Sequence, residues 1–320
     1  MSNLPLIAVL GATGAQGNGL VRAILADQPR RFAVRAITRK VDSAAARELS
    51  ALGAQIHQGD SDDLASLERA FAGAYGVYAM TNFWEHFSPS RELSQAANIA
   101  RAARTAAVKH VIWSTLEDTR LRVPLTDDRM PTLMERYKVP HLDAKGEANA
   151  LFHDLPTTYL HTSFYWDNFI HFGMGPRRAA DGTLELVLPM GDRRLPGIAA
   201  VDIGACAYGV FARGSTLVNR SIGIAGEHLT GSEMAAAFAA ALNEPVRYVA
   251  IASRAYAQLG FPGADDLANM FQYKHDFNEE FCAARPLLLS RALNPRLLSF
   301  RDWLALNAMR IPNIRLPHTA

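Results

Sequence analysis

Leu6-Ile7-Ala8-Val9-Leu10-Gly11-Ala12-Thr13-Gly14-Ala15-Gln16-Gly17 sets the fold of this chain: an apolar run ends in glycines spaced three apart. Asn18-Gly19-Leu20-Val21-Arg22-Ala23-Ile24-Leu25 follows with helical spacing of its apolar residues. A lone glycine triplet says little, but strand before and helix after is the setting of a dinucleotide-binding turn. The glycines permit a tight turn and let the backbone approach a pyrophosphate, which rests on the positive end of the helix. The segment from Gly11 to Gly17 is therefore the candidate pyrophosphate site, and a ligand-free glycine turn is the lesser alternative.

Outward from this turn, short apolar runs alternate with amphipathic segments. Strands are expected at Leu6–Leu10, Ala33–Thr38, Ala54–His57, Gly76–Met80, His110–Ser114 and Thr157–Thr162. Helices are expected at Ala15–Ala26, Ala44–Leu52, Asp63–Phe71, Ser90–Ala106 and Lys145–Phe152. Strand and helix in strict alternation predict an α/β Rossmann fold, a doubly wound parallel sheet. Beyond residue 162 the rhythm loosens. Helices at Val201–Phe211 and Ser232–Leu242 and strands at Asn219–Ile224 and Val246–Ile251 predict a smaller C-terminal α/β lobe whose pieces return to the sheet. The division expected is 1–162 for the dinucleotide and 163–320 for the lobe.

Composition narrows the function class. The 320 residues are 49% hydrophobic, with 33 basic and 31 acidic side chains and a formal net charge of +2. Such a chain buries a core, is not disordered, and does not bind nucleic acid by bulk charge. Cys206 and Cys282 lie far apart and fit a reducing, cytoplasmic setting. The N-terminus lacks the pattern of a signal peptide, and no uncharged apolar stretch approaches the ~18 residues of a membrane span. The histidines have no metal-ligand spacing, so no metal is expected, and no G-x-S-x-G elbow offers an acyl-transfer serine. Met130, Leu133 and Met134 read as one helical face in the core.

The second strand ends in Thr38-Arg39-Lys40, where an NAD-type site would carry an acid. A guanidinium binds a 2′-phosphate bidentately, so Arg39, helped by Lys40 or Ser43, is the candidate clamp and NADP(H) the expected cofactor. Asp60, with Ser61 beside it, follows the third strand and either reaches the adenine or caps the next helix. Thr81, Asn82 and Phe83 end the fourth strand at the ligand edge of the sheet. Phe83, Trp84 and Phe87 either wall the nicotinamide or simply pack.

Reductases of this general kind pair a proton-donating tyrosine with a lysine four residues later, plus a serine. The chain's lysines are Lys40, Lys109, Lys138, Lys145 and Lys274, and none has a tyrosine four residues before it. Lys145 instead follows His141. Ser114 ends the fifth strand and stands in the serine position. Lys145, His141 and Ser114 are thus the candidate catalytic set. Histidine can donate a proton near neutral pH, yet the bland alternative, with Lys145 on ribose hydroxyls and His141 merely polar, stays open.

The G-x-x-G-x-x-G turn resembles that of short-chain dehydrogenases, and the whole chain resembles their atypical NmrA-like family, in particular its NADPH-sensing branch. The residues that carry this are Gly11–Gly17, Ile37–Arg39, Gln58–Asp63, Thr81–Glu85, Trp113–Asp118, His141–Glu147, Ser163–Phe169, Leu259–Phe271 and Asn294–Leu304. The resemblance implies pyrophosphate on Gly11, Ala12, Thr13, Gly14, Ala15 and Gln16, and the 2′-phosphate on Arg39. It puts Asp60 and Ser61 at the adenine, Thr81, Asn82 and Phe83 at the central ribose and phosphates, and Lys145 at the nicotinamide ribose. Tyr165, Trp166, Asp167 and Asn168 would contact the nicotinamide end. Family lysines are replaced by Ser43 and Ser94. The resemblance also implies a sensor that answers the NADPH/NADP⁺ ratio, with a homodimer conceivable. The competing expectation is an NADPH-dependent reductase of quinones or other carbonyl compounds.

Overall fold

The alternation of elements is realised as one parallel sheet. The computed structural model describes residues 4–312. Its strands β1 (Leu6–Val9), β2 (Ala33–Thr38), β3 (Gln55–Gln58), β4 (Gly76–Ala79), β5 (His110–Thr115) and β6 (Thr157–His161) are connected through α1 (Ala15–Leu25), α2 (Ala44–Ala51), α3 (Leu64–Phe71), α4 (Pro89–Thr105) and α5 (Pro140–Ala148). The strand order is β3-β2-β1-β4-β5-β6, continued by the strand Ser221–Gly223, and every pair is parallel. The winding reverses between β1 and β4, which opens a ligand crevice beyond the carboxyl ends of the strands.

β1 is apolar throughout because both of its faces are covered. Ile7 and Val9 pack with Leu20, Val21 and Ile24 of α1, while Ala8 and Leu10 join Leu67, Phe71 and Ile99 on the opposite side. Ser43, Asp63 and Ser88 start α2, α3 and α4 by accepting N–H bonds from Ala46, Ser66 and Arg91. Asp63, and not Asp60, is therefore the cap of the helix after β3.

Two readings of the sequence need correction. α5 begins at Pro140, well before Lys145, and ends at Ala148, with a 3-10 turn over Asn149–Phe152. Buried Asp143 is the cause. Its Oδ2 accepts the N–H groups of Lys138 and Val139, and its Oδ1 accepts Thr119 N–H and Oγ1–H. Proline needs no N–H partner in a first turn. The segment carrying Met130, Leu133 and Met134 is not a helix: Met130 is buried, Met134 is half exposed at φ +45°, and Leu133 bridges to Tyr137.

The later residues form two three-stranded sheets. One runs Glu227–Leu229, Leu195–Ile198, Phe164–Tyr165; the other runs Val246–Ala250, Leu184–Leu188, Arg177–Arg178. They also return to the central sheet. The helix Ala200–Ala212 crosses α1 so closely that a Cβ on Gly204 would stand 2.1 Å from Leu20 N. That backbone-to-backbone contact fixes the start of α1 and the position of Gln16. Arg285, fully buried, ties lobe to sheet: it donates to the Thr162 carbonyl and lies 2.7 Å from Glu117.

Candidate cofactor and substrate cleft

A cavity of about 310 Å³ lies at the carboxyl edge of the sheet, between it and the lobe. Of the residues expected from sequence, Gly14, Ala15, Gln16, Thr81, Asn82 and Phe83 line it. Ser114, His141, Lys145, Tyr165, Asp167 and Asn168 complete that set. Gly11, Ala12, Thr13 and Gly17 shape the turn behind it. Arg39, Lys40, Asp60 and Ser61 do not line it, and neither does Trp166, which is 1% exposed and packs on Phe300 and Trp303 in the lobe core.

The turn suits a dinucleotide. Gly11 has φ +62°, and a Cβ on Gly17 would stand 2.4 Å from the Gly11 carbonyl oxygen. The cap of α1 is Gly14, and no side chain satisfies its first-turn N–H groups. A pyrophosphate is the type of group such a helix end accepts.

Gln16 joins three walls. Its Nε2 donates to Tyr165 Oη at 2.5 Å, and its Oε1 accepts from Tyr78 Oη at 2.5 Å and from Ser114 Oγ at 2.9 Å. The Ser114 proton is thus directed at Gln16. Burial pushes the Tyr165 phenol up to about 12, so near neutral pH it stays protonated and acts as a hydrogen-bonding group.

Lys145 is held by residues far away in sequence. Its Nζ donates to the Thr81 carbonyl at 3.0 Å and to Thr81 Oγ1 at 2.7 Å, and lies 2.7 Å from Glu92 Oε1. Thr81 Oγ1 in turn donates to Glu92 at 2.6 Å. Burial opposes ionisation of Glu92, but the Lys145 charge and its hydrogen bonds prevail and hold the carboxyl down at about 2. His141, one turn before Lys145 on α5, rests on the lobe. Its Nδ1 is 2.6 Å from Asp266 Oδ1, and its backbone N–H donates to Oδ2 of the same carboxylate at 3.1 Å. A carboxylate only accepts, so Nδ1 carries the proton and Nε2 is the free nitrogen. Trp84 covers the ring at 4.7 Å between centroids, and Phe83 flanks it at 6.2 Å. Phe83 and Trp84 wall the cleft, whereas Phe87 packs edge-on against Trp84 from outside.

The strand ends expected from sequence to take the adenosine differ. Arg39, at the end of β2, forms a two-pronged pair with Glu85, Nη1–Oε2 2.8 Å and Nη2–Oε1 2.9 Å. Asn82 Nδ2 donates to the same Glu85. Lys40 is exposed. Asp60 accepts the Asp62 N–H at 3.0 Å, and the Ser61 carbonyl accepts from Asn98 at 2.9 Å. Asp167, expected at the nicotinamide, also accepts the N–H of Ala200, the first residue of the helix Ala200–Ala212.

Sequence reasoning missed Glu92, Asp266, Ser163 and Lys274. Glu92 reads as an ordinary first-turn acid of α4, and Asp266 lies inside the stretch Leu259–Phe271 with no catalytic spacing to any other residue. Among the described residues no cluster suits a metal ion and no helix is long and apolar enough to cross a membrane.

A parallel sheet in this order, with a glycine turn at its switch point, defines a Rossmann-type fold. More narrowly, the chain belongs to the NmrA-like family, which it matches over residues 4–295. It is 26% identical to the NmrA-like family domain-containing oxidoreductase lnbB of Aspergillus flavus, covering 84% of this chain and 82% of that one. It is 29% identical to the NAD(P)H azoreductase of Xenophilus azovorans, covering 90% and 91%. Crystal structures of Nmra, a negative transcriptional regulator, in complex with NAD and with NADP align with TM-scores of 0.77 and 0.75. In both the identity is 23%, over 95% of each chain.

Proposed function

We propose that the chain is an NADP(H)-dependent reductase of quinones or other carbonyl compounds, with residues 1–162 binding the dinucleotide and the later residues closing the cleft. The observation that carries this reading is His141, oriented by buried Asp266 with its ring in the cavity. A fixed imidazole of that kind can supply the proton that the missing tyrosine would have given. It supports that role for His141 over a merely polar one. Relatives named as oxidoreductases and an azoreductase lend support.

Bound NADPH would supply the hydride. The glycine turn and the end of α1 would hold its pyrophosphate, Lys145 its nicotinamide ribose, and Arg39 with Lys40 its 2′-phosphate. Protonated His141 would pass its Nε2 proton to the acceptor oxygen, and Asp266 would stabilise the imidazolium before that transfer. The test is NADPH oxidation across a panel of quinones and aldehydes. His141→Ala should lower turnover about 100-fold, the lower range for acid catalysis, with NADPH affinity little changed. Lys145→Ala should weaken NADPH binding itself. No acceptor-dependent oxidation, or full turnover in His141→Ala, defeats the reading.

A second reading, a conformational response to NADP(H) occupancy, is favoured by the Arg39–Glu85 pair; because the 2′-phosphate is the same in NADPH and NADP⁺, any response to their ratio would have to arise at the nicotinamide. Phosphate binding at Arg39 competes with Glu85, and Glu85 sits on the Phe83–Glu85 turn that carries Trp84 into the cleft. Occupancy at one end is thereby coupled to shape at the other. Solution mass and tryptophan fluorescence with NADPH, NADP⁺ and no ligand test it, and three equal responses count against it.

A further inference from the structure

The helix Ala264–Asp276 brings to the cleft a charge that the reaction outlined above does not use. Lys274 lines the cavity and is 4% exposed. Among the described residues its ammonium has no oxygen acceptor: Nζ lies 3.2 Å from the Met270 sulfur and 5.3 Å from the centre of the Phe281 ring. Thioether and ring contacts are weak substitutes for the water a lysine gives up on burial. Ser163 lines the same cavity, and its buried Oγ has no hydrogen-bond partner. Buried polar groups are ordinarily satisfied, so a hydroxyl without a partner and an ammonium with only a thioether acceptor, both lining a single cavity, point to an absent ligand oxygen.

The charged neighbours of Lys274 are Arg285 and Glu117, and these are committed to each other. Burial, reinforced by Arg285 and opposed by Glu117, brings the lysine down to about 7. An anion beside it would draw it back toward the protonated form. Apolar side chains also line the cavity, among them Trp84, Phe172, Met174 and Leu267, with Trp84 and Phe172 in edge contact.

We propose that Lys274 and Ser163 form an oxyanion-binding pair at the acceptor end of the cleft, selecting a ring-bearing organic anion, a carboxylate or an enolate, whose ring lies on the Trp84–Phe172 wall. The proposal rests on reading the cavity as a joint dinucleotide and acceptor site. It adds the substrate class: a flat, apolar body with one anionic oxygen.

The test is calorimetric titration of the full chain with 2-naphthoate and with 2-naphthalenemethanol, two probes alike in ring and unlike in charge. The acid should bind at least about 10-fold more tightly, in line with a hydrogen bond to a charged group. Lys274→Met should erase that preference, and Ser163→Ala should reduce it several-fold. Circular dichroism melts verify folding, and Lys274→Gln takes the place of Lys274→Met if the latter does not fold. Equal affinity for the two probes, no binding of either, or an undiminished preference in the lysine variants overturns the proposal. Binding is read without turnover. Loss of the preference in Lys274→Met of a protein that never oxidises NADPH therefore retires the reductase reading and keeps the subsite; turnover without any preference does the reverse.

Discussion

Arg39–Glu85 and Lys145–Glu92 are both ion pairs at the carboxyl edge of one sheet, and they obey different physics. The side chains of the first are 56% and 45% exposed, those of the second 13% and 0%. In water a carboxylate can trade places with a phosphate at little cost, because an exposed pair is worth about 0.2–1 kcal/mol. In the interior neither partner can be spared. The Arg39 end of the sheet edge can therefore adapt, while the Lys145 end holds a fixed geometry in which Thr81, Lys145 and Gln16 are already tied in place.

The largest effect should come from breaking the buried pair. Glu92→Ala leaves Lys145 buried beside Thr81 without a counter-charge, and should cost about 3–5 kcal/mol of folding stability, read by urea denaturation. Acid acts on the same side of the comparison. Glu92 and Glu117 are both held at about 2, against an ordinary 4.5. For Glu117, burial is again overcome by a partner charge, that of Arg285. A depressed carboxyl stabilises the fold above its unfolded value and loses that contribution as pH falls toward the folded one. Stability should thus drop by a few kcal/mol, roughly, between pH 4.5 and 2, and a pH series of melts would measure it. Glu92→Gln should flatten part of that slope.

Asp266→Asn comes next. It keeps the shape but offers the imidazole an amide in place of a carboxylate, so turnover should fall on the order of 10-fold or more, with NADPH affinity within a few-fold. Equal turnover would return His141 to a packing role. The smallest effect belongs to the exposed pair. Glu85→Gln frees Arg39 and should tighten NADPH by no more than about 5-fold, from the energy of a surface pair. The gain should shrink in high salt. A gain of a hundredfold would show that the Arg39 end is not the adaptable one.

The fold was largely legible because its signals are local. The β1–α1 junction, the starts of α2 and α3, and the strand ends from Thr38 to Thr81 are all set by neighbours within a few residues, although Ser43, read from sequence as an aid to the phosphate clamp, caps α2. The site was legible only where it sits on those strand ends. Glu92, Asp266 and Lys274 are charged residues on helices, and in a sequence such residues read as solvated surface. Their burial arises from contacts such as Lys145 with Thr81, 64 positions apart, and His141 with Asp266, 125 apart. The start of α5 was misplaced for a related reason: Asp143 binds back to Lys138 and Val139 and across to Thr119, a loop pattern with no periodicity to detect.

The strand Ser221–Gly223, supplied late in the chain, covers β6 along residues Tyr159 to His161. While the chain emerges from a ribosome, the six earlier strands exist well before their last partner does. Until that partner arrives, β6 offers a bare row of amides and carbonyls, an invitation to pair with another copy. A fragment ending at residue 162 should accordingly be prone to self-association, and a chaperone that shelters β6 during synthesis would have the most to protect there.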